Sequence, residues 1–261
     1  MTMAAMLSDN HSGRLMRKGV LAEETYRILA CWDLAATLRQ NLNRIREENP
    51  IGATNTAWLK EVAATLSNRF SSGDSIAPLV ILAKGGFPID TWKYCLLWHL
   101  HSTDGLFSSF MQEFLSPRIE TGTVVFTTED VMPYVDELQA RGVFGEKLSD
   151  YGVRRMGRDL LRAAGEFGLL EGQARREFHH PVIPEDALLY AIYSLWESTP
   201  NADRLIVSDR WHQFLLTTFQ VEHELLNLHQ FHRLRYERAG SIRELNLPHD
   251  SLVDFCKSIV P

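Results

Sequence analysis

What most restricts the fold of this chain is a helical rhythm that begins at Leu21 and runs past His101. Leu21, Ile28, Trp32, Ala35, Leu38, Leu42 and Ile45 recur at spacings of three, four or seven, which puts them on one face of a helix. A long helix is therefore expected from Leu21 to Asn49. Glu23 and Glu24 lie in its first turn, where the helix dipole favours negative charge, and Asn49-Pro50 ends it. A second helix is expected from Thr54 to Phe70, with Trp58, Val62, Leu66 and Phe70 as its stripe and Ser71-Ser-Gly73 as its stop. A short apolar helix over 76–84 stops at Gly85-Gly86, another runs over 89–101, and a turn at 102–105 leads to a helix over 106–116. Amphipathic helices joined by short loops make a bundle. The expected plan is thus a flexible basic arm over 1–19 and a helical bundle over 20–120.

The rhythm changes at Glu120. Thr121-Gly-Thr-Val-Val-Phe-Thr127 is β-branched and short, as a strand would be. Thr128 then reads as a helix cap, with Glu129 and Asp130 in the first turn and Gly142 past the end. Ser149 or Asp150 caps a further helix whose core stripe is Val153, Met156, Leu160, Ala163 and Phe167. Arg175-Arg-Glu-Phe-His-His180 alternates weakly, and a helix follows over 185–196. Helices followed by a strand pair are the order of a winged-helix-like module, placed at 121–200. In the tail, 201–261, a helix over 209–229 precedes two alternating runs across Ala239-Gly240, which read as a β-hairpin, and a last helix over 251–259. The fold class is mainly α: a helical N-terminal bundle, then one or two winged-helix-like modules with small β-hairpins.

Composition narrows the class. The 261 residues are 45% hydrophobic and 23% charged, as in a globular protein with a real core. The net charge is −6, so any nucleic-acid site must be a local patch. Cys31, Cys95 and Cys256 are far apart and form no CxxC, as three buried thiols in a reducing compartment would be. Met1 to Gly13 has no apolar h-region, and no apolar run approaches the roughly 18–20 residues of a membrane span. A soluble, cytoplasmic protein with no membrane partner is expected.

The candidate binding residues are arginines. Arg154, Arg158 and Arg162 are four apart and so share one helix face, with Arg155 beside them and Arg175 and Arg176 downstream in the wing. Between 153 and 176 six Arg stand against one Asp and two Glu. Guanidinium groups suit phosphate oxygens and guanine edges; the same face could equally be a solvated one, paired with Asp159 and Glu166, the only carboxylates near it in sequence. A second basic group is His232, Arg233, Arg235, Arg238 and Arg243. Arg233 and Arg235 alternate and so would share a sheet face, as a backbone-touching wing or an ordinary hairpin would have it. Arg14, Arg17 and Lys18 make the N-terminal arm basic.

Other chemistry finds little support. His223, His229 and His232, the pair His179-His180, and His99 with His101 match no zinc spacing. No GxSxG, P-loop or GxGxxG occurs, and no carboxylates gather as a nuclease would need. No enzyme, cofactor or metal is expected.

Arg17-Lys-Gly-Val-Leu-Ala-Glu-Glu24, Thr54-Asn-Thr-Ala-Trp-Leu59, Arg69-Phe70, Gly157-Arg-Asp-Leu-Leu-Arg162, Gly168-Leu-Leu170 and Pro184-Glu-Asp-Ala-Leu-Leu-Tyr190 together resemble the BrxA family of bacterial BREX phage-defence systems, over about residues 14–198. That family was long labelled putative inner-membrane, which the hydropathy here does not support. The resemblance implies a small helical accessory protein of antiviral defence without its own activity, similar to an RNA-binding antitermination protein and binding DNA through helix-turn-helix or winged-helix elements. It implies other BREX-type proteins as partners and double-stranded DNA ahead of RNA as ligand. The alternative is a scaffold docking onto other defence subunits. The acidic net charge and the extension beyond about residue 200 depart from the pattern.

Overall fold

The computed structural model describes residues 19–70, 75–240 and 242–261. It is mainly helical with small antiparallel sheets. Helices α1 (Ala22–Ala30) and α2 (Leu38–Glu48) replace the single long helix expected over 21–49. The apolar rhythm survives the break, because Ile28, Trp32, Leu42 and Ile45 all reach the core while Ala35 stays exposed. The break is made by polar side chains. Thr37 and Gln40 form a reciprocal capping box that starts α2. Asn41 is buried, accepts the Asp33 N–H at 2.9 Å and donates to the Asp33 carbonyl at 2.8 Å.

Helices α3 (Thr56–Arg69), α4 (Ala77–Lys84) and α5 (Ile89–Thr103) follow the expected boundaries to within a few residues. The 106–116 helix is instead a composite: α6 (Gly105–Ser109), a π-helical turn (Phe110–Leu115) and α7 (Ser116–Glu120). Asp104 separates it from α5 and caps it, accepting the Phe107 N–H at 3.0 Å. The core around it is aromatic. Trp98 packs on Trp211 and Phe214, each at 5.1 Å between ring centroids.

Next come β1 (Val125–Phe126), α8 (Thr128–Ala140), α9 (Asp150–Glu166), β2 (Glu171–Gly172) and β3 (Arg176–Glu177). The strands make one antiparallel sheet in the order β1-β3-β2, with Phe126 opposite Arg176 and Gly172 opposite Arg176. The strands expected over 121–127 and 175–180 shrink to two residues each, since Thr127 turns away to cap α8 and Phe178 leaves the ladder after its N–H reaches the Val124 carbonyl at 2.9 Å. Between β2 and β3 the chain reverses at Gly172, at φ +95°, where a Cβ would stand 2.3 Å from the Arg175 carbonyl oxygen. Only glycine fits there.

Helix α10 (Glu185–Ser198) leads to α11 (Ala202–Ile206). The helix expected over 209–229 is two pieces, a 3-10 turn (Asp209–Phe214) and α12 (Thr218–Gln230). Leu215 adopts φ +55° between them, and the Thr217–Gln220 capping box opens α12. The tail hairpin is β4 (Arg235–Ala239) and β5 (Ile242–Asn246), and α13 (Leu252–Ser258) closes the chain behind its Ser251 cap. A single cluster of buried apolar residues runs from Val20 to Cys256.

Cys95 and Cys256 are buried, but Cys31 is exposed, because the α1–α2 break carries it to the surface. Among the described residues no group of His, Cys, Asp and Glu is placed to hold a metal ion. No described helix is long and apolar enough to cross a membrane.

Candidate nucleic-acid interface

The arginine face belongs to α9, a 17-residue helix with a divided surface. Ser149 caps it through the Gly152 N–H at 3.2 Å. Val153, Leu160, Leu161, Ala163 and Ala164 are buried on its inner side. Gly157 lets α8 approach closely: a Cβ there would meet the Val131 Cβ at 3.3 Å and the Thr128 carbonyl oxygen at 3.4 Å. Tyr151, Arg154 and Arg158 are exposed, and Arg155 and Arg162 are half-buried on the same outer side.

The arginines differ in what they touch. Arg154 donates to Glu129, in the first turn of α8, at 2.6 Å. That neighbour and a backbone N–H hold the Glu129 carboxyl below its usual value, the backbone contact being the larger cause. Arg155 and Arg162 share Asp159 at 3.6 and 3.4 Å, and Arg162 also reaches Glu166 at 3.4 Å. Asp159 is 4% exposed. Burial pushes its carboxyl up against the pull of Arg162, Arg155 and Arg158. Arg158 makes no ion pair among the described residues and acts on Asp159 only through its charge. The pairs with Asp159 and Glu166 are the ones sequence proximity allows; the Arg154 pair is not, for Glu129 is 25 positions away.

The wing arginines divide too. Arg175 is exposed and forms no ion pair among the described residues. Arg176 turns inward: its guanidinium donates to the Gly172 carbonyl at 3.0 Å and lies over Gly165, where a Cβ would come within 2.1 Å of its Nη1. Burial lowers its pKa, with Glu166 opposing and Arg162 adding. It joins the wing to the end of α9.

The tail arginines are all engaged. Arg233 lies before β4 rather than on its face, and pairs with Glu185 and with Asp186 (2.7 Å) at the start of α10. Arg235 pairs along its own strand with Glu237 at 2.9 Å. Arg238 and Arg243 meet on Glu222 of α12 at 3.1 and 3.0 Å, and Arg243 also reaches Asp203 at 2.8 Å. Tyr236 donates its hydroxyl to Glu222 at 2.8 Å. Arg14, Arg17 and Lys18 lie outside the described residues.

Sequence reasoning missed a buried charged group beneath α9. Arg69 is fully buried and donates to the Val20 carbonyl at 2.7 Å. The Val20 N–H in turn reaches Glu166 at 2.5 Å. Burial brings the Arg69 pKa down to about 10 against the opposing charges of Asp104 and Glu166. A buried arginine in an amphipathic stripe has no local signature in the sequence.

A protein-family model described as BrxA matches residues 9–192. No curated protein matches the chain.

Proposed function

The chain belongs to the BrxA family, and from that premise we propose that it binds nucleic acid, double-stranded DNA ahead of RNA, without turning it over. Membership carries a role associated with BREX phage defence. The observation that carries the finer reading is positional. A helix, β1, α8, α9, β2 and β3 succeed one another, and the sheet order is β1-β3-β2. This is the connectivity of a winged helix, in which the second helix of the helix-turn-helix is the one that enters the major groove. Here that helix is α9, and its outward side is the arginine side. Arg175 stands in the β2–β3 turn, where a wing meets the phosphate backbone.

The test is binding of duplex DNA, single-stranded DNA and RNA, side by side, over a range of salt. Each phosphate neutralised contributes about 0.9 to the log–log slope, so about three contacts from α9 and the wing give a slope of about −3 on duplex DNA. A flat response to salt would remove the reading.

A second reading, a scaffold docking onto other defence subunits, draws on the tail. Phe219 and Leu226 lie seven apart on the outer side of α12, beyond the region matched by the family, and Phe231 and Ile242 are exposed nearby in sequence. Salt-insensitive association with a defence subunit, abolished by Phe219→Ser, would favour it.

A further inference from the structure

We propose that Arg158 and Tyr151 are the side chains of α9 that read base sequence, Arg158 taking a guanine and Tyr151 the methyl edge of a thymine. The assignment rests on the duplex-binding reading above and adds which residues discriminate.

It follows from how the outer side of α9 is occupied. Arg154 is held by Glu129, Arg155 by Asp159, and Arg162 by Asp159 and Glu166. A guanidinium already paired with a carboxylate, by a hydrogen bond at Arg154 and by close charge contact at Arg155 and Arg162, must loosen that pairing before it can meet a base squarely. Arg158 has neither ion pair nor hydrogen bond among the described residues and projects from the same side. Its five N–H donors remain available in the planar geometry that matches guanine O6 and N7. The other arginines carry positive potential to the phosphates while staying tied to the protein.

Tyr151 is the second outlier. Its side of the helix is otherwise charged, yet it is 70% exposed in the first turn of α9. A large ring so placed serves no core. The amino-terminal residues of a groove-bound helix are the ones that reach base edges, and an aromatic ring there offers apolar contact to a thymine methyl. Seven residues separate Tyr151 from Arg158, about two turns and roughly 10 Å along the axis. At about 3.4 Å per base step, the two would sample positions about three base pairs apart.

The experiment selects duplexes with a randomised ten-base-pair centre on the full chain, and then on Arg158→Lys, Arg158→Ala and Tyr151→Ala, each checked for an unchanged melting temperature. The wild-type pool should enrich guanine at one position and thymine about three away. Arg158→Ala should erase the guanine preference and weaken binding to the selected duplex about tenfold, while binding to a scrambled duplex falls less than about threefold. Arg158→Lys keeps the charge, so the salt slope should hold while the guanine preference drops. Tyr151→Ala should lose the thymine and keep the guanine. Enrichment that survives both alanine variants, or a wild-type pool without enrichment, overturns the assignment and leaves duplex binding standing. A wild-type chain that retains no duplex at low salt overturns both.

Discussion

On α9 and its wing, six arginines meet three carboxylates, Glu129, Asp159 and Glu166, and Arg158 and Arg175 are left without an ion pair among the described residues. In the tail, Arg233, Arg235, Arg238 and Arg243 meet five carboxylates, Glu185, Asp186, Glu237, Glu222 and Asp203, and each of the four has an ion pair. Both regions are basic helix-and-hairpin stretches in the sequence. What separates them is where the acidic residues come from. The tail's partners reside on α10, α11 and α12 as well as on its own strands, so its arginines tie elements together. The α9 partners are fewer, and two of the three, Asp159 and Glu166, lie on α9 itself. A run of arginines is thus evidence of a nucleic-acid surface only once the carboxylates folded against it have been counted.

The comparison breaks most easily at Glu222. Its carboxylate accepts from Tyr236, Arg238 and Arg243, and these contacts hold its pKa below the usual range, with the Tyr236 and Arg243 hydrogen bonds as the leading causes. Glu222→Ala would strand a buried tyrosine hydroxyl and two guanidinium groups. The expected cost is about 1–2 kcal/mol, seen as a melting temperature lower by about 2–8 °C in a chain of this size. Duplex binding measured below that transition should be unchanged. A stable variant would mean that the tail pairs do no structural work, and a variant with weakened duplex binding would put the tail in the interface.

The same contrast shows what could be read from the sequence. Helix periodicity located α3, α4, α5, α9 and α10 closely, because each buries a continuous stripe and ends at a recognisable cap or breaker. It ran α1 and α2 together, since Ile28, Trp32, Leu42 and Ile45 keep their spacing across a break made by the polar contacts of Asn41 and Thr37. The arginine face itself was legible as a four-residue spacing. Its division into tied and untied side chains was not. Glu129 comes from another helix, 25 positions from Arg154, whereas the Asp159 pairs are the local ones its spacing allows. Glu166 reaches Val20 over 146 positions, a contact only the closed fold creates.

That last contact links α9 to buried charge. Glu166 holds Val20, Val20 is held by buried Arg69, and Arg69 feels the charge of Asp104. Asp104 is 1% exposed, and burial pushes its carboxyl up to about 6, opposed by the N–H groups of Phe107 and Leu106 and by Arg69. A carboxyl whose folded pKa lies above its unfolded value binds its proton more tightly when folded. It therefore adds stability as pH falls through about 6, fully below the unfolded value, and loses it as pH rises. Between pH 7 and pH 5 the gain from Asp104 is about 1 kcal/mol, or roughly 2–4 °C. The difference in melting temperature between those two pH values should shrink by that amount in Asp104→Asn, which can still cap α6. Glu222, shifted downward, contributes nothing in this window, so its variants should keep the full slope. An Asp104→Asn chain with the parent's pH response would place the titration elsewhere.

The smallest expected effect is also the most direct control. Arg235 is exposed and its partner Glu237 lies on the same strand and the same sheet face, 2.9 Å away. Such a pair sits in water, gains little from its Coulomb attraction and is screened by salt. Arg235→Ala should shift the melting temperature by less than about one degree. It removes as much charge as Arg158→Ala, and it comes from a hairpin that would serve as a wing if the tail were a second contact. Net charge alone therefore predicts that the two variants lose duplex affinity equally. Local pairing predicts that they do not, because Arg235 can approach a phosphate only by giving up Glu237, while Arg158 gives up no ion pair. The measurement is the duplex dissociation constant of the two variants at one salt concentration. An Arg235→Ala loss matching that of Arg158→Ala would show that the carboxylates of the tail do not silence its arginines, and the contrast between the two regions would fall.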